Sequence, residues 1–152
     1  MPASLATRFE PRIILVSRLI TIIDDDSDDI DLLQAAILKA DPSVKFTVFT
    51  SPQEALVCIS TGKIPPDVIF VDYNMPVFNG IECLQLFNAL RILNYTPYVA
   101  SSSHMTPELE QAFRKQGASY MFEKPTSMEG YERVVDHVFT NIFGEVKSGN
   151  LQ

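Results

Sequence analysis

Residues 68–72 read Val68-Ile69-Phe70-Val71-Asp72, four consecutive apolar side chains ending on an aspartate. A run that is apolar at every position has no polar face to offer water. It therefore suits a central strand of a parallel sheet, covered by helices on both faces. Around it, short β-branched runs alternate with longer segments of helical period, the pattern of strands joined by crossover helices. Leu19 to Ile23 is a second fully apolar strand candidate. Val44, Phe46 and Val48 alternate with Lys45 and Thr47, as expected of an edge strand with one less-buried face. Tyr98 to Ser101 and Tyr120 to Phe122 complete a set of five. The expected class is α/β with five strands and five helices.

The helix starts are legible from their caps. Ser27 is expected to cap a helix whose apolar face is Ile30, Leu33, Ile37 and Leu38, with Asp41-Pro42 as its stop. Ser51-Pro52-Gln53-Glu54 combines a cap, a proline at the first helical position and a glutamate three residues after the cap, and Gly62 is the expected end. Ile81, Leu84 and Phe87 mark a third helix, and Thr106-Pro107 opens a fourth that ends near Gly117. Met128, Tyr131, Val135, Val138 and Ile142 form the buried stripe of the last. Residues 1–18 and 144–152 read as tails around one domain at 19–143, and the apolar part of the first tail, Ile13 to Val16, has no assigned role.

Composition narrows the function. With 152 residues, 46% apolar and 20% charged, the chain is sized for one globular core. A net charge of -7 without a basic cluster argues against nucleic acid as a direct ligand, because phosphate backbones are bound by grouped Lys and Arg. Ile13 to Ile23 is interrupted by Arg18 and is shorter than the ~20 residues a membrane span needs, so no membrane role and a cytoplasmic location are expected. Cys58 and Cys83 stand apart from each other and from any histidine, and both are expected to be small buried side chains.

Ligand sites in open parallel sheets lie beyond the carboxyl ends of the strands. Those ends carry Asp24 and Asp25, Asp72, Ser101-Ser102-Ser103, and Lys124-Pro125. Carboxylates held at ~4 Å repel by about 4 kcal/mol per pair at an effective dielectric of ~20, so three in one cleft call for a cation. Mg2+ suits so sparse an oxygen set, and Lys124 adds positive charge. Six aspartates fall between Asp24 and Asp31. Asp28, Asp29 and Asp31 are read as charge that a helix N-terminus favours, and Asp26 as a capping residue. A calcium-loop reading of this stretch fails, since its sixth and twelfth positions carry Asp29 and Ala35 where glycine and glutamate are required.

From Leu19 to Phe143 the chain resembles the receiver domain of two-component response regulators. The residues that carry the resemblance are Ile23-Asp24-Asp25-Asp26, Val71-Asp72-Tyr73-Asn74-Met75-Pro76 with Gly80, Ser102, and Lys124-Pro125. It implies a three-layer, doubly wound (βα)5 flavodoxin-like fold with strand order 2-1-3-4-5. It also implies that Asp72 accepts a phosphoryl group and that Asp24, Asp25, Asp72 and the backbone carbonyl of Asn74 bind Mg2+, with Mn2+ as a substitute. Ser102, at the family's usual spacing between Asp72 and Lys124, is expected to hydrogen-bond the phosphoryl oxygen, with Ser101 as the alternative. Asn74 and His104 border the path of attacking water in the family, and His104 is hypothesised to tune the lifetime of the phosphorylated state. The family's aromatic residue on the fifth strand is absent: that position holds Met121, with Tyr120 one residue earlier. Pro76 and Gly80 read as turn residues.

The expected function is a phosphorelay switch that catalyses only its own phosphorylation and dephosphorylation, and is otherwise not an enzyme. A receiver-like adaptor that works without phosphorylation is the rival on the same fold, but it has no physical need for the set Asp24, Asp25, Asp72, Ser102 and Lys124. An aspartate-based phosphatase needs an acid two residues after its nucleophile, where this chain has Asn74. The residues after the last helix are too few to form an output domain. The expected partners are therefore a sensor histidine kinase or a histidine phosphotransfer protein, and a downstream protein target, with a homodimer as a further arrangement.

Overall fold

In the computed structural model, which describes residues 17–144, the apolar runs pair into one sheet. Strands β1 (Leu19–Ile23), β2 (Lys45–Phe49), β3 (Val68–Asp72), β4 (Tyr98–Ser102) and β5 (Tyr120–Glu123) alternate with helices α1 (Ser27–Ala40), α2 (Pro52–Thr61), α3 (Gly80–Phe87), α4 (Pro107–Lys115) and α5 (Met128–Asn141). A short 3-10 turn, Arg91–Leu93, precedes β4. Every neighbouring pair of strands is parallel, in the order β2-β1-β3-β4-β5. The winding reverses between β1 and β3, so a crevice opens beyond their carboxyl ends. All five residues of β3 are buried, as its uninterrupted apolar run requires.

Side-chain alternation along the strands divides the core in two. Ile20, Ile22, Val68, Phe70 and Val99 pack under α1 and α5, whereas Ile23, Ile69, Val71 and Ala100 pack under α2, α3 and α4. This is the expected three-layer, doubly wound arrangement. Each fully buried Ile, Leu or Val contributes about 1.5–3 kcal/mol, and the stripes Ile30, Leu33, Ala36, Ile37 on α1 and Tyr131, Val134, Val135, Val138 on α5 supply that burial on one face.

Several local expectations hold. Ser51 accepts from the Glu54 N–H, Thr106 accepts from the Leu109 N–H, Gly62 ends α2, and Gly117 takes a positive φ of 90° after α4. A reciprocal capping box between Asn79 and Glu82 at the start of α3 is an additional feature. Others are corrected. Ser27 does not cap α1 but is its first helical residue; Asp26, also read as a capping residue, fills the cap, its carboxylate accepting from the N–H groups of Asp28 and Asp29. A carboxylate both fills the cap and opposes the positive end of the helix dipole. Leu38 is 41% exposed, because Ala36 completes the stripe and leaves Leu38 on its rim.

Val48 is exposed and Thr47 half-buried on β2, reversing the expected faces there. Thr21 is fully buried on β1 and its hydroxyl requires a partner, which its register neighbour Thr47 provides at 2.7 Å. Cys58 is exposed on α2; only Cys83 is buried, and burial pushes its thiol up to about 12. Ile142 ends α5 as its C-cap, partly buried. Residues 1–16, with the apolar Ile13 to Val16, and residues 145–152 lie outside the described residues.

Gly80 is more than a turn residue. Its N–H donates to the Tyr73 carbonyl at 2.9 Å, and a β-carbon placed there would lie 2.5 Å from the Asp72 carbonyl oxygen. The start of α3 is thus pressed against the backbone of the last residue of β3. Gly80→Ala is expected to destabilise the fold by about 1–3 kcal/mol, since backbone must move to admit the methyl group; chemical denaturation that shows no loss would contradict this close approach.

Candidate functional site

Four strand ends deliver the side chains. Asp24 follows β1, with its N–H donating to the Phe49 carbonyl at 3.1 Å and its Oδ1 accepting from the Asp26 N–H at 3.0 Å. Asp72 closes β3, 3% exposed and in register with Ser101. Lys124 follows β5, and its N–H donates to the Ser102 carbonyl at 2.9 Å, so β4 and β5 together fix where its side chain begins. Asp25 stands exposed beside Asp24. One carboxylate oxygen from each of Asp24, Asp25 and Asp72 lies within 4.8 Å of the others, the one acidic group of this kind among the described residues.

The Lys124 ammonium is 2.9 Å from Asp24 Oδ2, 3.2 Å from Asp72 Oδ1 and 2.8 Å from Asp29 Oδ2, and its side chain is only 8% exposed. Burial alone would lower the affinity of this ammonium for its proton, but Asp29 and Asp24 outweigh burial and hold it above the ordinary lysine range. The carboxylates respond oppositely. Burial, then the charge of Asp24, pushes Asp72 up to about 7 despite Lys124. Asp24 is also raised by burial, partly offset by the Asp26 N–H and by Lys124. One ammonium leaves this cluster short of positive charge.

A direct sign of that shortfall is Asp72 Oδ1. This oxygen is buried and has no aligned hydrogen-bond donor, although the Lys124 nitrogen is close enough for an ion pair. A buried acceptor without a donor is costly, and a carboxylate in that state suits an added positive centre. Three converging hard oxygen donors fit Mg2+ or Mn2+, which take oxygen ligands. The donor set therefore fits a divalent cation.

Ser102 is buried at the end of β4; its hydroxyl donates to the His104 carbonyl at 3.1 Å and accepts from the His104 N–H at 3.2 Å. Ser101, also buried, sits opposite Asp72 in the sheet. Asn74 and His104 are both exposed, each two residues past a strand end. Met121 packs toward α3 and α4, whereas Tyr120 lies on the other face, stacked on His137 at 4.1 Å between ring centres.

Two residues were not singled out by sequence reading. Asp29 does not merely decorate a helix start: it holds Lys124 and accepts from the Tyr131 hydroxyl at 3.3 Å. Nothing in the local pattern separates Asp29 from Asp28 or Asp31, because its partner lies 95 residues away in sequence. Tyr131 reads as a member of the α5 stripe, and its hydroxyl gives no sequence signal. Burial, followed by the neighbouring Asp29 charge, raises its phenol above the ordinary range.

Comparison with known proteins points the same way. A family model described as the response regulator receiver domain matches residues 20–136. The protein-glutamate methylesterase/protein-glutamine glutaminase of Gluconobacter oxydans (strain 621H) is 34% identical over 116 residues, 74% of this chain and 31% of that protein. The chain thus spans between 31% and 39% of the length of the first curated relatives it matches. Two solved structures share the fold. The phosphorylated cyanobacterial phytochrome response regulator RcpA superposes with a TM-score of 0.76 at 18% identity, covering 87% of this chain and 98% of that one. The Mn2+-bound form of response regulator Rcp1 gives 0.72 at 17% identity, covering 86% and 97%. Among the described residues no helix is long and apolar enough to cross a membrane.

The electrostatics of Asp72 carry a stability prediction. Burial, then the Asp24 charge, pushes its carboxyl up to about 7 from the ordinary 3.8, so between these values the folded state holds more protons than the unfolded one. Stability contributed by the protonated carboxyl is present below the unfolded value and is lost as pH rises toward 7. In chelator-treated protein, Asp72→Asn is therefore expected to be more stable than wild type by about 4 kcal/mol at roughly pH 8, with the margin vanishing near about pH 4. Thermal unfolding across that range measures it; a variant less stable than wild type at the upper end would refute the repulsion.

Proposed function

The chain belongs to the response regulator receiver domain family, and from that membership we propose that it is a phosphorelay switch in which Asp72 accepts a phosphoryl group from a phosphohistidine donor. The observation that carries this reading is the buried Asp72 oxygen without a hydrogen-bond donor, faced by the Lys124 ammonium and two further carboxylates. A carboxylate oxygen attacks phosphorus in line, the phosphorus–nitrogen bond to the donor breaks, and a mixed anhydride forms on Asp72. Hydrolysis of that anhydride by water returns the carboxylate and releases phosphate.

Phosphoryl transfer asks the protein for positioning and charge neutralisation more than for covalent chemistry. The end of β3, buttressed by Gly80, orients the Asp72 carboxylate. Lys124 supplies a fixed positive charge to the transferring oxygens. Asp24, Asp25 and Asp72, with the Asn74 backbone carbonyl, would hold Mg2+, or Mn2+ in its place, and that cation supplies neutralisation of phosphoryl charge. The Ser102 hydroxyl, now engaged with its own loop at His104, is the group that would turn to a phosphoryl oxygen; Ser101 is the alternative. His104 borders the route of hydrolytic water.

A phosphate adds roughly -1.5 to -2 of charge and strong acceptors, enough to draw the β4–α4 loop toward Asp72. With Met121 at the family's aromatic position, the change reaches partners through a different arrangement, in which Tyr120 rests on α5. A groove of about 610 Å³ lies there, lined by Tyr120, Glu123, Lys124, Pro125, Arg133 and His137. A downstream protein target reads this surface, and a sensor histidine kinase or phosphotransfer protein delivers the phosphoryl group, in the cytoplasm. The domain is assigned to residues 19–143, and it catalyses no reaction on a second substrate.

Incubation with a small acyl phosphate and Mg2+, read by intact mass, tests the reading. Wild type is expected to gain one phosphoryl group in a Mg2+-dependent manner, Asp72→Asn none, and Ser102→Ala to be slowed more than Ser101→Ala. Uptake by Asp72→Asn would move the acceptor elsewhere. Failure of wild type to be labelled by the acyl phosphate and by a phosphorylated histidine donor alike would leave the adaptor reading in its place.

A further inference from the structure

Lys124 touches three carboxylates, but they are not equivalent. Asp24 and Asp72 belong to the group whose oxygens converge on the cation position; Asp29 does not, although at 2.8 Å it makes the shortest of the three contacts. An ammonium and a divalent cation that shared only Asp24 and Asp72 would compete, since each neutralises the same two charges and the two repel one another. Asp29 offers Lys124 a counter-charge that the cation does not use.

Asp29 is also held more firmly than a surface aspartate. Its N–H donates to the Asp26 cap at 3.2 Å, and its Oδ1 accepts from the Tyr131 hydroxyl at 3.3 Å. Tyr131 is 1% exposed, wedged among the residues packed under α1 and α5, with its ring edge-to-face against Phe122 on β5. Asp28, one residue away, is exposed and donates its own N–H to the same cap. The difference between these neighbours lies in what their side chains reach.

Resting on the phosphoacceptor reading above, we propose that Asp29, braced by Tyr131, is a positioning residue that keeps the Lys124 ammonium in the site while a divalent cation occupies Asp24, Asp25 and Asp72, so that lysine and cation share the cluster without competing. Without Asp29 the ammonium has Asp24 and Asp72 as its remaining partners and must be displaced for the cation to enter. The cost appears in cation affinity before any phosphoryl transfer takes place. Tyr131 acts through Asp29, so its effect has the same sign and a smaller size.

Calorimetric titration of the metal-free protein with Mg2+ tests this, with thermal unfolding confirming that each variant is folded. Asp29→Asn is expected to raise the Kd about 10-fold, as loss of a residue that orients a metal site does. Asp28→Asn removes the same charge from an exposed position and is expected to change the Kd less than about 2-fold. Tyr131→Phe, which keeps the packing of the ring, falls between them, and Asp29→Glu recovers part of the affinity. In a Lys124→Gln background the Asp29→Asn effect shrinks to that of Asp28→Asn, because the competitor is gone. Equal effects of Asp29→Asn and Asp28→Asn, or an Asp29→Asn effect that persists in the Lys124→Gln background, would overturn the proposal while wild type still binds Mg2+ and takes up phosphate. If wild type binds no Mg2+ and takes up no phosphate, the functional reading falls and this inference with it.

Discussion

Three carboxylates converge at the ends of β1 and β3 with one ammonium among them, and this imbalance of charge is the constraint around which the rest of the molecule is arranged. Asp72 is driven up to about 7 by burial and by Asp24. Such a group works against folding at neutral pH, so the remaining packing must outweigh it. The two apolar layers do so: β3 is buried along its whole length and is clamped between α1 with α5 on one side and α2 to α4 on the other. A buried apolar strand packed on both faces under Asp72 is what allows a repulsive cluster to persist at its upper edge.

The parallel sheet makes such a cluster inevitable once its strands end in these residues. All five strands point the same way, so every strand end and every following loop lies at one edge of the sheet. Asp24, Asp72 and Lys124 are carried by three different strands, yet the register of the ladders brings them within ion-pair distance. The close packing of Gly80 on the Asp72 carbonyl then ties the start of α3 to the same point. Backbone rigidity and side-chain chemistry meet at one residue.

Around this rigid centre are groups with alternative partners. The Ser102 hydroxyl is satisfied by its own loop, donating to the carbonyl of His104 and accepting from its N–H. Lys124 is divided between the cluster and Asp29, and Asp29 leads through Tyr131 to the seam of α1 and α5, where Lys39 and Glu132 also pair at 2.9 Å. Tyr120 is packed on His137 of α5 and Met121 faces the opposite layer. Two sets of contacts thus lead away from Asp72, one through its register neighbour Ser101 toward the β4–α4 loop and one through Lys124 and Asp29 to Tyr131 on the other face.

The sequence by itself determined the elements and which residues stand at the strand ends, because these are written in short-range patterns. A five-residue apolar strand ending in an acid, a cap followed by proline, and Lys-Pro after a strand are each legible within a few positions. The resemblance supplied the order of the strands, and the ladders reproduce it. Tertiary structure decided whatever depends on a partner far along the chain. Leu38 and Cys58 were left at the surface where other residues completed the buried stripes, and Thr47 turned inward to satisfy Thr21. Asp29 differs from Asp28 only in meeting Lys124 and Tyr131, 95 and 102 residues away, and no local pattern can encode which of two adjacent aspartates a distant lysine will find.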